Sequence, residues 1–321
     1  MSSWNQSNFR VPEFILVGFP GFQDKESKNI LLSIFLMIYL LILLGNVLII
    51  VILSLDEGLY IPMYLLILNL AVLDIAISTT TIPKLISALL FNDNIISFAG
   101  CFIQMGCWLG ILTATSFLLA LMAYDRYLAI CSPLHYPTIM SNSLAMKQSL
   151  FCWLAGLVVG GFLVILALRL PFCGPNKIIH CYCDHSSVLR LACADTVINN
   201  YLGLAIALCI LILPLLYIFF SYFKIVMAVI KITTSEGRLK AFSTCGTHLL
   251  IISVFFLLTI FIALSYRIPG ISADSRIMVS LLQSVIPPLA NPFIYCFKSK
   301  EIRGSLEKTV KRIHKVTQCP K

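Results

Sequence analysis

Met122-Ala123-Tyr124-Asp125-Arg126-Tyr127-Leu128-Ala129-Ile130-Cys131 sets an acid beside a base where a long apolar run ends. A charged pair is expensive in hydrocarbon, so it persists only where it is partnered, wetted or put to use. Two readings are open from these residues alone. Arg126 either snorkels to the interface and anchors a helix end, or the Asp125-Arg126-Tyr127 triplet is an ionic switch.

The rest of the chain has the composition of a membrane protein. Of 321 residues, 59% are hydrophobic and 12% charged, against about 25% charged in an ordinary soluble domain. No soluble fold hides that much apolar surface. Seven stretches approach or exceed the roughly 20 residues needed to cross a bilayer: Ile30 to Leu53, Pro62 to Leu90, Phe98 to Ile130, Leu144 to Leu168, Val197 to Ile230, Phe242 to Tyr266 and Ile277 to Phe297. The expected fold is therefore an all-α membrane protein, a seven-transmembrane helix bundle over residues 29–297. An extracellular tail, 1–28, precedes it; a short amphipathic cytoplasmic helix and tail, 298–321, follow.

Orientation is read from positive charge. Lys298, Lys300, Arg303, Lys308, Lys311, Arg312, Lys315 and Lys321 crowd the C-terminal tail, which the positive-inside rule assigns to the cytoplasm. Lys25 and Lys28 before the first span, with Asp56 and Glu57 after it, vote the other way locally. The global excess, within a net charge of +9, decides for an extracellular N-terminus. That excess faces anionic lipid, and nothing in the chain resembles a nucleic-acid-binding pattern. Residues 1–28 contain no apolar core of signal-peptide type, so the first span is expected to act as an uncleaved signal anchor. Asn5-Gln6-Ser7 is an acceptor triplet for N-glycosylation on that side.

Of twelve cysteines, Cys101 starts the third span on the outer side, and Cys173, Cys181, Cys183 and Cys193 lie in the loop between the fourth and fifth. Five thiols in an oxidising compartment leave one over, and spacing alone allows several pairings. His180-Cys181-Tyr182-Cys183-Asp184 also reads as a metal site, unless Cys183 is spent in a disulfide.

Met122 to Tyr127 with Ala129-Ile130-Cys131 resembles the end of the third helix in olfactory receptors, a branch of the rhodopsin-like G-protein-coupled receptors. Lys240-Ala241-Phe242-Ser243-Thr244-Cys245-Gly246-Thr247-His248-Leu249 resembles the start of their sixth helix, with Thr247 where the family usually has Ser. Phe256 stands where olfactory receptors usually show Tyr. Gly45-Asn46, Pro62-Met63-Tyr64, Leu68-Asn69-Leu70-Ala71 with Asp74, Pro214 with Ser221-Tyr222, and Pro287-Pro288-Leu289-Ala290-Asn291-Pro292-Phe293-Ile294-Tyr295 extend the resemblance from about Phe14 to Arg303.

The resemblance implies an odorant receptor that binds a small-molecule odorant among its helices. It further implies activation of a stimulatory, olfactory-type heterotrimeric G protein, with a rise in cAMP, at the plasma membrane of olfactory cilia. It implies disulfides Cys101 to Cys183 and Cys173 to Cys193, leaving Cys181. Asp125, Arg126, Tyr127, Tyr222, Lys240, His248, Asn291, Pro292 and Tyr295 would form the activation switch and G-protein-coupling set. Asn46, Asp74 and Asn291 would meet around water or a sodium ion, no other cofactor being expected. The same polar groups also read as a satisfied knot that only packs helices.

Trp108 lies roughly 27 Å up the third helix from Arg126, beneath the tethered loop. Helical spacing puts Gln104, Trp108, Leu112 and Thr115 near one face. With Leu109 and Ser186, and by resemblance Gly203, Ile206, Ala207 and Ile210 on the fifth helix, Phe256, Thr259 and Ala263 on the sixth and Leu281 and Ser284 on the seventh, they make the expected pocket. Arg267 ends the sixth helix and points either to water or inward, where its fork would take a carboxylate. An Arg at the matching position is known from acid-recognising olfactory receptors, and His185 resembles the branch for water-soluble odorants.

No catalytic constellation, phosphate loop or metal-ligand spacing is present in the sequence, so an enzyme is excluded. A transporter is disfavoured by an odd span count without inverted repeats. A non-olfactory rhodopsin-like receptor for a small molecule or peptide is disfavoured by the short tail and by Lys240 to Cys245.

Overall fold

The computed structural model describes residues 11–231, 234–299 and 301–308, with the backbone alone for 235–245, 247, 297 and 298. Among them, seven helices are long and apolar enough to cross a membrane: Lys25–Leu55, Pro62–Phe91, Phe98–Cys131, Asn142–Leu168, Val197–Ile230, Ser235–Ser265 and Ala273–Lys298. These are the first to seventh spans. Their starts follow local chemistry. Asp24, Ser97, Ser141 and Ser272 each accept a hydrogen bond from the backbone N–H three residues on, satisfying a donor that the first turn cannot. The fourth and fifth spans leave Phe151, Leu157, Val158, Leu213, Leu216 and Phe219 exposed, a surface that is stable only against lipid.

Prolines inside the spans free carbonyls four residues back, and for Pro214 and Pro292 a neighbouring helix caps the freed group. Pro214 leaves Ile210 O to the Ser116 hydroxyl, which donates to it at 2.9 Å. Pro292 leaves Pro288 O to Asn46, whose Nδ2 donates at 2.9 Å. At these two prolines the freed carbonyl is thus paired with a polar side chain rather than left unpaired in lipid.

The third and fourth spans approach closest. Gly106 and Gly110 face Gly156 and Gly160, and a Cβ on Gly156 or Gly160 would run into the carbonyl oxygen of Gly110 or Gly106 respectively. Glycine here buys backbone contact that no side chain permits.

The segment before the first span is more than a tail. Glu13–Leu16 (β1) pairs antiparallel with Ile95–Ser97 (β2) and parallel with Lys177–Ile178 (β3), in the order β2-β1-β3. Phe14, fully buried, packs with Phe98 and Phe172, and Phe102 joins the same cluster. This sheet, absent from the sequence reading, ties the N-terminal segment to the loop that carries Cys183. At the opposite end Ser299 Oγ accepts from Ile302 N, and residues 301–308 are helical, with Ile302 and Ser305 buried and Glu301, Arg303, Glu307 and Lys308 exposed. The amphipathic helix after the seventh span is therefore present. Asn5 lies outside the described residues.

Candidate functional site

Cys101 and Cys183 are bonded, as are Cys173 and Cys193. The first bond draws the loop over the third span. Gln104 fastens it further: its Oε1 accepts from Cys183 N at 2.9 Å while its Nε2 donates to Thr80 O at 2.8 Å. Tyr182, fully buried, lies with its ring 5.5 Å from that of Trp108. Cys181 keeps a free, buried thiol, and burial pushes its pKa up. With Cys183 in a disulfide, the His180 to Asp184 run has lost a thiolate for metal binding.

Beneath this lid lies a cavity of about 130 Å³. The third span contributes Trp108, Leu109, Leu112 and Thr113; the fourth, Val159 and Leu163; the fifth, Asn200, Gly203, Leu204, Ile206, Ala207, Ile210 and Leu211; the sixth, Thr259, Ile262, Ala263, Tyr266 and Arg267. The loop adds Asp184, His185 and Ser186. The volume falls below the roughly 300–1,000 Å³ of drug-sized sites, and the walls are mostly aliphatic, so the space suits one small molecule.

The lid's contribution has a local cause. Asp184 Oδ2 accepts from Ser187 N at 3.0 Å and starts a one-turn helix, His185–Leu189. That turn carries His185 and Ser186 to the cavity. His185 fits because residue 203 is glycine: a Cβ there would stand 3.1 Å from His185 Cε1. Burial holds the His185 imidazole below its usual range, with Asp184 partly offsetting. Arg267 Nη1 donates to Ala263 O, one turn back, at 2.6 Å. The remaining guanidinium donors are not used by that bond.

Five expected wall residues stand elsewhere. Gln104 is occupied in holding Cys183. Phe256 is buried in the core against Phe255, with ring centroids 5.2 Å apart. Ser284 faces Trp108, whose Nε1 donates to its Oγ at 3.3 Å, and so supports a wall rather than forming it. Thr115 turns to Ile111 O, and Leu281 is fully buried. A helical face read at ideal periodicity is broader than the strip a cavity uses. Thr113, Asp184, Asn200, Leu204, Leu211, Ile262, Tyr266 and the fourth-span residues were not expected at the wall, and His185, noted only for its resemblance, joins them; Asp184 followed three residues on by Ser187 is the capping pattern that signals the loop turn.

At the other end, Arg126 Nη2 lies 3.2 Å from Asp125 Oδ2, and the Tyr136 hydroxyl donates to Asp125 Oδ1 at 2.8 Å. Tyr127 stands near Tyr124, with centroids 6.3 Å apart. Tyr222 is buried in the core, and His248, also buried, is 6.0 Å from the Tyr295 ring. The Lys240 side chain lies outside the described residues. In the bundle's middle, Asn291 Nδ2 donates to Asp74 Oδ2 at 2.8 Å. Asn46 does not join them: its amide is satisfied by Ile42 O and by the carbonyl freed by Pro292.

A family model described as Olfactory receptor matches residues 35–313. Olfactory receptor 6N1 of Homo sapiens is 39% identical over 313 residues, 97% of each chain. Olfactory receptor 10A3 of Homo sapiens is 38% identical over 314 residues, covering 97% of this chain and 98% of that one. Olfactory receptor 1E5 of Pan troglodytes is 38% identical over 307 residues, 95% of this chain and 96% of its own. With its seven apolar helices, Asp125-Arg126-Tyr127 triplet and covered cavity, the chain belongs to the olfactory receptor family, the odorant-sensing G-protein-coupled receptors.

Proposed function

We propose that the cavity beneath the Cys101–Cys183 lid takes a small odorant carrying a carboxylate, its chain among Leu112, Ile206 and Ala207 and its head at Arg267. The observation that carries this reading is the lining itself. Among the described wall residues Arg267 brings the sole guanidinium or ammonium group, set on an otherwise mainly aliphatic space. A planar fork and a carboxylate form paired, charge-assisted hydrogen bonds.

The bound agonist favours an arrangement in which the sixth span moves away from Arg126, since a ligand shifts an equilibrium only by its differential affinity for two states. The cleft so opened receives a stimulatory, olfactory-type G protein, and cAMP rises. The N-terminus is extracellular, the C-terminal helix cytoplasmic, and the receptor works in the ciliary membrane. Asp74 and Asn291 Oδ1, the latter buried without a hydrogen-bond partner among the described residues, suit a sodium ion in the resting state.

The deciding experiment is a cAMP response screen of short-chain acids, their amines and their neutral esters in cells expressing wild type or Arg126→Ala. Acids are expected to activate wild type alone, at equal surface expression. Response to amines and not to acids overturns the ligand class, and a full response from Arg126→Ala overturns the switch.

A further inference from the structure

A second cavity, of about 240 Å³, adjoins the first at the disulfide end. Lys177 and His180 come from β3 and the residues after it, Ser187 and Arg190 from the turn begun by Asp184, and Tyr266 and Arg276 from the facing ends of the sixth and seventh spans. Tyr266 lines both cavities and so forms part of the wall between them. Lys177 and Arg190 are exposed, whereas His180 and Ser187 are buried; the mouth is charged and wet, the base closed.

The charge is one-sided. The guanidinium carbons of Arg190 and Arg276 each stand 5.4 Å from the centre of the Tyr266 ring. None of Lys177, Arg190 and Arg276 has an ion-pair partner among the described residues. Arg276 is held in place by bonds from Nε to Ser265 O at 3.1 Å and from Nη2 to Ile271 O at 2.8 Å. Two acids stand near this group: Asp184, buried, acts on His180 and Tyr266 and spends Oδ2 on Ser187 N, and Asp274, two residues before Arg276, accepts from Gly21 N through both oxygens, so neither is paired with the three cations. Three cations around a small concave space raise the local concentration of anions, and Arg276, already held in place, offers its remaining donors without reorganising.

We propose that this outer cavity is a binding site for a small soluble polyanion, carrying carboxylate or phosphate groups, held by Lys177, Arg190 and Arg276 next to the Tyr266 wall. The site stands whether or not Arg267 binds an acid in the deeper cavity. Citrate is the probe, titrated by calorimetry into the full-length receptor in phosphatidylcholine nanodiscs. Saturable binding that weakens with added salt is expected, together with a higher melting temperature.

Lys177→Gln with Arg190→Gln removes two charges that make no hydrogen bond among the described residues. Citrate affinity is expected to fall by about tenfold or more, with the citrate-free melting temperature lowered only slightly by loss of the Arg190–Tyr266 contact. Equal affinity in wild type and the double variant, or equal binding of the neutral trimethyl ester, overturns the proposal. Loss of citrate binding on adding phosphatidylserine to the nanodisc assigns the cavity to a lipid headgroup and overturns the soluble ligand.

Discussion

Tyr136 donates its hydroxyl proton to Asp125 Oδ1 across 2.8 Å, from a residue eleven positions further along the chain. The bond joins the one-turn helix Tyr136–Ile139 to the acid that also holds Arg126. A hydrogen bond to a charged group contributes about 1.5–3 kcal/mol. Tyr136→Phe is therefore expected to loosen the Asp125–Arg126 pair and raise agonist-free nucleotide exchange on the G protein, up to about tenfold. Unchanged basal exchange at wild-type surface expression would make the bond a fold contact only.

Arg267→Ala should shift the dose response to an acid odorant about ten- to a hundredfold to the right, the loss of one charge-assisted contact. Lysine should rescue in part, because a point charge lacks the planar fork. The methyl ester of the same acid should respond almost equally to wild type and variant. Equal shifts for acid and ester would make Arg267 a packing residue, and no shift in either would return its side chain to water.

Gly160 and Gly161 are neighbours with opposite surroundings. A Cβ on Gly160 meets Gly106 O, while one on Gly161 meets nothing within 4 Å. Gly160→Ala is expected to destabilise by about 1–3 kcal/mol through overpacking. Gly161→Ala should instead stabilise the fourth span by roughly 0.5–1 kcal/mol, since alanine loses less backbone freedom. Melting of the two purified variants in nanodiscs checks this, and equal effects would show that the third and fourth spans do not touch through glycine.

The lid should weaken in acid. Burial holds both His180 and His185 below the usual histidine range, with Asp184 opposing in each case. The opened loop takes up protons below about pH 6.5, whereas the packed loop resists them. Stability is thus complete above that pH and falls as acid is added. Amide exchange over residues 180–189 should speed up between about pH 7.5 and 5.5, and less so in His185→Gln. Exchange independent of pH, after correction for its intrinsic rate, would show that neither imidazole titrates on opening.

The seven spans, their approximate ends and the family were legible in the residues alone. Each follows from a local rule: a helix in lipid must satisfy its own backbone bonds, so about twenty apolar residues declare it. The Asp125-Arg126-Tyr127 triplet was equally legible because its charge conflicts with its surroundings. Packing between helices was needed to show that Asn46 answers the carbonyl freed by Pro292 rather than Asp74, that Ser116 answers Pro214, and that Phe14 lies in a strand. It also decided that His185 and Tyr266 line the cavity while Gln104, Phe256 and Ser284 stand behind or beside it. Those outcomes depend on the depth and rotation of one helix against another. A hydrogen bond tolerates only a few tenths of an ångström, and a hydropathy pattern sets a helix face no more finely than about 100° of arc.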